Sequence, residues 1–542
     1  MLGEKSSLQI IWTAWITVGY NQTVFKIGKD KQKFLTAFIL FLIIAFGLSL
    51  RFINIGGNNL VLDYDQLEDQ LYTYTIAVDH KLAIIGRAVY GDPRLHHGVF
   101  YYYYNLIPFF ISGGSLFAST YWNIFLNAAS GIVIFILAFL LFSKRLPGLI
   151  SAFIATSSFE FIKFSNWLTI DTPAIFLIPL FYLGLAGILK KKNWGFLLSS
   201  LSLGLAIQSD LSLIYLIPVS LIFVIIFRPP IPKFKILFIS TLIFLFTIST
   251  LILTEIKLHF AGVLALLNFS NTFSGVVKLN FGQRISLFLD DFFKNFSSNL
   301  VPQRPNLGIY LAILAILAVL YHLFSKKTKK EEKSAIIFLL FYLLSPAITL
   351  ILGYHDTPWF LIGLPGAIAL ICGYAISKLK LFLIIPLLFA IGFTNASMIF
   401  TRPNEAYKLF DNFYDKTSYL SYQLKAVDYT YRNSNGQPFS INAVTCPLYY
   451  NAMWAYLYNW YGKDRYGYTP TWLGGDQLHP YDLLTKSNET EKVFYMIISD
   501  TPKIQEWSKD EGKIWAKDHG KLIEEKEMEG FTILKMEKEE GQ

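Results

Sequence analysis

A carboxylate beside a hydroxyl can take its proton and make it a nucleophile. The chain places its acids so that several could meet. Asp63-Tyr64-Asp65-Gln66 follows the first long apolar stretch, and Asp171, Asp210, Glu255 and His355-Asp356 follow later ones. Either Asp63 or Asp65 suits a general base acting on an acceptor hydroxyl, and two acids two residues apart raise one another's pKa. Arg87, Arg94, His96 and His97 lie between Asp65 and the second long apolar stretch. Cations there fit an anionic headgroup such as a phosphate or pyrophosphate. Each group also has a plainer use. The pattern turns helical at Gln66, with Leu67, Leu71 and Thr75 on one stripe, so Asp65 at its start can cap free N–H groups. Asp171 before Thr172-Pro173 can cap the next helix, and Asp210 and Glu255 also stand at helix ends. His355-Asp356 fits a metal or phosphate ligand, or a satisfied turn.

The elements that must position these groups are membrane helices. Of 542 residues, 54% are hydrophobic and 16% charged, against about 25% charged in soluble domains. The mean hydropathy is +0.43. Apolar stretches at 34–53, 120–142, 147–164, 172–189, 194–208, 211–227, 236–254, 307–325, 334–352, 359–377 and 381–398 read as about 11 spans. Lys and Arg cluster at 26–33, 144–145, 190–192, 228–235, 326–333 and 378–380, each on the same side of this ladder. The positive-inside rule then puts residues 1–33 in the cytoplasm and the acids outside, with the C-terminal region outside too. The net charge of +9 is carried mostly by these short loops, so it reports topology and no nucleic-acid partner. The stretch Ile10 to Val18 is short and no small-residue cleavage site precedes the basic run, so no cleavable signal is expected. Cys372 and Cys446 are the only cysteines, which excludes a disulfide framework.

The first outer loop, 54–119, contains the apolar aromatic segment 98–112. Counting it as a span would invert every later loop, so it reads as an interfacial helix with Tyr101 to Tyr104 at headgroup depth. Residues 34–399 form the membrane domain. Residues 400–542 are polar, with strand patterns at 439–444, 493–499 and 531–535 between helical ones, and read as a small α/β extracytoplasmic domain. The expected fold is an α-helical polytopic membrane protein, N-in and C-out, with this domain appended.

Taken in order, the motifs resemble the C-type glycosyltransferase superfamily, and within it the protein O-mannosyltransferase and aminoarabinose transferase group. The resemblance rests on Asp63-Tyr64-Asp65-Gln66, then His96-His97-Gly98 with Tyr101 to Tyr104, then Asn166-Trp167 with Asp171, then Gly204-Leu-Ala-Ile-Gln208 and Glu255 to Phe260. It covers roughly 34–400. It implies an inverting enzyme that takes a sugar from a polyprenyl-phosphate donor at the outer face of the cell membrane and passes it to a hydroxyl-bearing glycan, lipid or protein. On that resemblance Asp65, with Asp63 as neighbour or substitute, would be the base, and Asp171 would share the site. Gln66, Arg87, Arg94, His96, His97, Tyr101, Tyr102, Glu255 and His355 would contact substrate, with Arg87, Arg94 or His97 on the phosphate and the lipid tail beside Tyr101 to Tyr104. The resemblance names no certain cofactor. A divalent cation, if one is used, would take the outer acids and His355. The family motif usually ends in Asp-Glu where this chain has Asp65-Gln66, and many relatives have proline near Gly98-Val99. Two rivals remain. A transporter or flippase for a polyprenyl-linked glycan would carry ionisable groups near mid-membrane. An oligosaccharyl ligase or transferase would move a whole glycan, but the Trp-Trp-Asp-Tyr-Gly signature of the latter is absent and Asn459 to Asp464 only echoes it.

Overall fold

The computed structural model describes residues 29–56, 60–89, 92–267, 279–352, 358–401 and 415–539. Every apolar stretch of the ladder is helical. In chain order the helices of the first 401 residues are α1 (Lys29–Asn54), α2 (Tyr64–Ala77), α3 (Phe100–Tyr104), α4 (Leu106–Ser112), α5 (Leu116–Phe142), α6 (Arg145–Ser157), α7 (Phe159–Lys163), α8 (Ala174–Leu189), α9 (Trp194–Ser209), α10 (Leu216–Phe227), α11 (Phe234–Thr247), α12 (Ser249–Lys257), α13 (Ala261–Leu267), α14 (Phe281–Leu300), α15 (Pro305–Phe324), α16 (Lys330–Leu344), α17 (Thr349–Leu352), α18 (Leu364–Ile376) and α19 (Leu381–Thr401). Among the described residues, six helical stretches are long and apolar enough to cross a membrane, and α11 with α12 makes a seventh, bent by 55°. The chain is a multi-pass membrane protein. Helices α8, α9 and the stretch 211–227 are apolar but shorter.

Helices α8 and α18 are buried along nearly their whole length and form the middle of the bundle. α8 meets α9 at contact distance because Gly184 has no side chain. A Cβ there would stand 2.6 Å from the Ser199 backbone nitrogen. Lipid gives helices no hydrophobic reason to associate, so small residues that admit close backbone packing hold such pairs. The basic clusters meet at one end of the bundle. There Arg145 donates to Gln32 at 3.1 Å, Lys190 to the Leu141 carbonyl at 3.1 Å, and Lys378 pairs with Glu332. Inside the bundle, Arg51 is fully buried. It donates to Asn127 Oδ1 and to the carbonyls of Gly47 and Thr156, so its charge is solvated by dipoles.

Three local expectations need correction. The segment 98–112 forms two short helices, α3 and α4, and the Tyr101 and Tyr102 rings are 0% exposed. They pack against Ile76, Val99 and Ile170 within the protein and form no lipid-facing belt. Helix α2 begins at Tyr64, two residues earlier than the pattern predicts, so Asp63 is its cap and Asp65 is not. Helix α14 was not legible among the apolar runs because it is amphipathic. Its Phe288, Phe292 and Phe296 stripe is buried, while Asp290 and Lys294 pair on its surface at 2.6 Å.

Residues 415–539 fold around a five-stranded sheet. The strands are β1 (Ser440–Val444), β2 (Thr471–Trp472), β3 (Val493–Ser499), β4 (Lys521–Met528) and β5 (Phe531–Glu537), in spatial order β2-β1-β3-β5-β4. The β1 strand is parallel to β2 and β3, and β5 is antiparallel to β3 and β4. Alternation in β3 sends Phe494, Met496 and Ile498 towards the helix Glu506–His519 and Tyr495 and Ile497 to the other side. The second side shares one apolar core with Leu62, Leu67 and Leu71 of the first loop and Ile124 of α5. Backbone hydrogen bonds join the same layers, Leu62 N to Ser418 O at 2.7 Å and Leu420 N to Leu60 O at 2.9 Å. The sheet unit is therefore packed directly onto the loop that carries Asp63 and Asp65.

Candidate active site

The start of α2 is fixed by a reciprocal cap. The Asp63 side chain accepts the Tyr64 N–H, and Gln66 Oε1 accepts the Asp63 N–H at 2.6 Å. Gln66 is thus engaged in the helix start rather than free for substrate. From this start, residues four apart share a face. Asp65 and Asp69 face Arg87, whose guanidinium lies 3.1 Å from Asp65 Oδ1 and 3.8 Å from Asp69 Oδ1. The Arg87 and Asp69 side chains are 12% and 0% exposed, whereas that of Asp65 is 58% exposed. Burial opposes the charge on Arg87, but Asp65, Asp69 and Glu68 outweigh it and hold the guanidinium ionised. Tyr64 and Glu68 form the next face. Glu68 accepts from the hydroxyls of Tyr64, at 3.2 Å, and of Tyr481 from the sheet unit. Burial raises the Glu68 carboxyl above its ordinary value despite those donors.

Asp63 is drawn to the sheet unit, where Lys503 Nζ lies 2.9 Å from its Oδ2. With one oxygen in the cap and the other on an ammonium, it is poorly placed to take a proton. Asp171 and Asp210 enter from the helix ends opposite. Asp171 is 5% exposed, its Oδ1 accepts from Thr169, and its Oδ2 has no hydrogen-bond partner among the described residues. Burial, with the Asp210 charge, pushes its carboxyl up to about 7. Asp210 accepts the Ser212 N–H at 2.8 Å and lies 3.6 Å from His97 Nδ1. Burial, with the Arg87 and His96 charges, pushes His97 well below its ordinary value and keeps it neutral.

The His96-His97 segment is held by Gln208. Its Oε1 accepts the Val99 N–H at 3.1 Å while its Nε2 donates to Thr250 at 2.7 Å. Gly98 is required at this contact, because a Cβ would lie 2.4 Å from the Gln208 carbonyl oxygen. The Gly204-to-Gln208 pattern and the His-His-Gly segment are therefore two halves of one joint.

These groups border a cavity of about 1330 Å³. Asp63, Asp65, Glu68, Arg87, Asp171 and Asp210 line its acidic end; Leu211, Ile214, Ile217, Pro218 and Leu266 line an apolar arm; Cys446, Pro447, Tyr450 and Tyr481 close it from the sheet unit. His96 and His97 also reach it. Tyr101 and Tyr102 do not. They stand behind it, Tyr102 accepting the Arg87 backbone N–H at 3.1 Å and stacking on Tyr72 at 4.9 Å. Arg94 is turned to the surface in a two-pronged pair with Asp92, at 2.9 and 2.7 Å. Glu255 caps α13 by accepting the Val263 N–H at 3.0 Å. Neither lines the cavity. His355 lies outside the described residues. Among the described residues, no three His, Cys, Asp or Glu side chains gather closely enough to hold a metal ion.

Residues 96–270 match a family described as dolichyl-phosphate-mannose-protein mannosyltransferase. No curated protein matches the chain by sequence. The crystal structure of ArnT from Cupriavidus metallidurans bound to undecaprenyl phosphate superposes with a TM-score of 0.60, at 7% identity over 91% of this chain and 97% of that one. The chain has the C-type glycosyltransferase fold. The apo form of the same ArnT superposes with a TM-score of 0.56 over the same shares. Here the fold gathers groups that the sequence keeps far apart. Glu68, Asp69, Tyr481 and Lys503 were missed as site residues. For Glu68 and Asp69 a signal was available, since Glu68-Asp69 lies one helical turn after Tyr64-Asp65. Tyr481 and Lys503 had none, because their partners lie more than 400 positions earlier.

Proposed function

We propose that the protein is a glycosyltransferase that moves a sugar from a polyprenyl-phosphate donor to a hydroxyl acceptor at the extracytoplasmic membrane face, inverting the anomeric carbon. The observation that carries this reading is Arg87 held between exposed Asp65 and buried Asp69 in a cavity with an apolar arm. A prenyl tail is too apolar to leave the bilayer, and the arm lined by Ile214, Ile217 and Leu266 suits it in the same cavity as the acids. The match of 96–270 to a mannosyltransferase family, and a fold shared with a protein crystallised with undecaprenyl phosphate, support such a carrier.

Arg87 has five N–H donors in a planar fork, which suits a phosphate. On donor binding it keeps Asp69 and turns its outer edge from Asp65 to the phosphate. Asp65 is then released to accept the proton of the acceptor hydroxyl. The acceptor oxygen attacks the anomeric carbon, the bond from that carbon to the phosphate oxygen breaks, and its electrons leave with the polyprenyl phosphate. Arg87 stabilises the leaving charge. Asp63 is committed to the cap and Lys503, which favours Asp65 over Asp63 as base.

The test is transfer of radiolabelled sugar from a panel of polyprenyl-phosphate donors by purified protein in detergent, with Asp65→Asn beside it. The variant should lose roughly 100-fold or more of the rate, the size of a general-base contribution. Full activity in Asp65→Asn removes Asp65 from the mechanism. Tight donor binding without transfer moves the assignment to a carrier translocator.

A further inference from the structure

Three tyrosines meet in the wall of the cavity. The Tyr64 ring lies 5.9 Å from Tyr450 and 6.4 Å from Tyr481, and Tyr450 lies 5.8 Å from Tyr481. Two of the three come from the sheet unit and one from α2, next in sequence to Asp65. The corner is built rather than incidental. The Tyr64 and Tyr481 hydroxyls lie 3.1 Å apart and both reach the Glu68 carboxylate, which fixes their ring planes. The loop that carries Tyr450 is pinned at both ends. Thr445 contacts the Tyr450 carbonyl at 2.8 Å, Gln477 Nε2 donates to the Tyr449 carbonyl at 2.8 Å, and Gln477 Oε1 accepts the Asn451 N–H at 3.2 Å. Yet Tyr450 is left 48% exposed and lines the cavity. Rigid aromatic rings held open at a cavity wall await a ligand with an apolar face.

We propose that this tyrosine corner is the acceptor subsite and that the acceptor is a carbohydrate. The assignment rests on the glycosyl-transfer reading. Two features place the acceptor here. The apolar lining of Ile214, Ile217 and Leu266 suits the lipid tail of the donor, which leaves the wall that the sheet unit supplies for the second substrate. That wall offers ring faces beside Glu68, a carboxylate with phenol donors. A pyranose presents a C–H face to rings and hydroxyls to carboxylate and phenol, and it buries both at once. A ring stacked on Tyr450 would bring a hydroxyl towards Asp65, the residue after Tyr64.

The experiment measures transfer by the full chain from the radiolabelled donor panel to two kinds of probe, methyl glycosides of common hexoses and pentoses, and a serine- and threonine-containing peptide. Transfer is compared in the wild type, Tyr450→Ala and Tyr450→Phe. The expected result is transfer to a glycoside with the acceptor KM raised roughly tenfold in Tyr450→Ala, the loss of about 1.4 kcal/mol of ring contact. Tyr450→Phe should restore it, and the donor KM should stay within about twofold throughout. An unchanged acceptor KM, or donor and acceptor KM moving together, overturns the subsite. Transfer to the peptide and to no glycoside overturns the carbohydrate. Failure of the wild type to transfer to either probe or to water, from every donor, overturns instead the glycosyl-transfer reading on which the subsite rests.

Discussion

Replacing Asp171 by asparagine tests whether the fold resists ionisation of this carboxyl. The side chain is 5% exposed, one oxygen accepts from Thr169, and the other has no hydrogen-bond partner among the described residues. Burial first, and the Asp210 charge second, raise its pKa from 3.8 to about 7. In the unfolded chain the group ionises near its ordinary value. Between about pH 4 and about pH 7 the folded protein therefore holds a proton that the unfolded chain has released, so stability falls as pH rises. The group's contribution is fully present below the lower value and lost through the upper one. At about 1.4 kcal/mol for each tenfold change in proton affinity, the rise corresponds to about 4 kcal/mol, an upper figure because water reaching the cavity solvates the charge. Asparagine keeps the acceptor for Thr169, matches the shape of the protonated acid and cannot ionise. The variant should match the wild type near about pH 4 and melt at a higher temperature near about pH 8. Thermal unfolding in detergent, followed by tryptophan fluorescence across that range, reads the difference. Two parallel pH curves would refute the reasoning, because the ionisation of Asp171 would then cost the fold nothing.

Arg87→Met should cost about 3–5 kcal/mol of stability, because Asp69 is left buried without its cation. A lowered unfolding temperature that Asp69→Asn partly restores would check it, and an unchanged one would refute it. Gly98→Ala should destabilise by about 1–3 kcal/mol, since the added Cβ meets the Gln208 backbone, and should lower transfer by displacing His96 and His97. Cysteine placed at exposed Asn488 should react with a membrane-impermeant thiol reagent in intact cells from outside only. Labelling from the cytoplasmic side alone would reverse the proposed topology.

The sequence alone carried the helical ladder. Apolar composition over about 20 residues is a local property, and so is a basic cluster at a helix end. The meeting of Gln32 with Arg145 and of Glu332 with Lys378 follows from that alternation. The first-loop acids were legible too, as residue types at a helix start. Their division of labour was not. Asp63 and Asp65 look alike along the chain, and they differ because Lys503 approaches one and Arg87 the other. The fate of the cations was equally hidden: Arg94 has its own acid two residues away, while Arg87 finds its acids on α2, across the loop. Tyr101 and Tyr102 carried the composition of an interfacial belt, and only packing against Ile76 and Ile170 turned them inward. Periodicity reports which side of a helix is apolar, but not which distant element will cover it. Partners hundreds of residues apart leave no pattern in a single chain, so the tertiary structure alone decided which acid faces the cavity, which is capped, and which wall the sheet unit supplies.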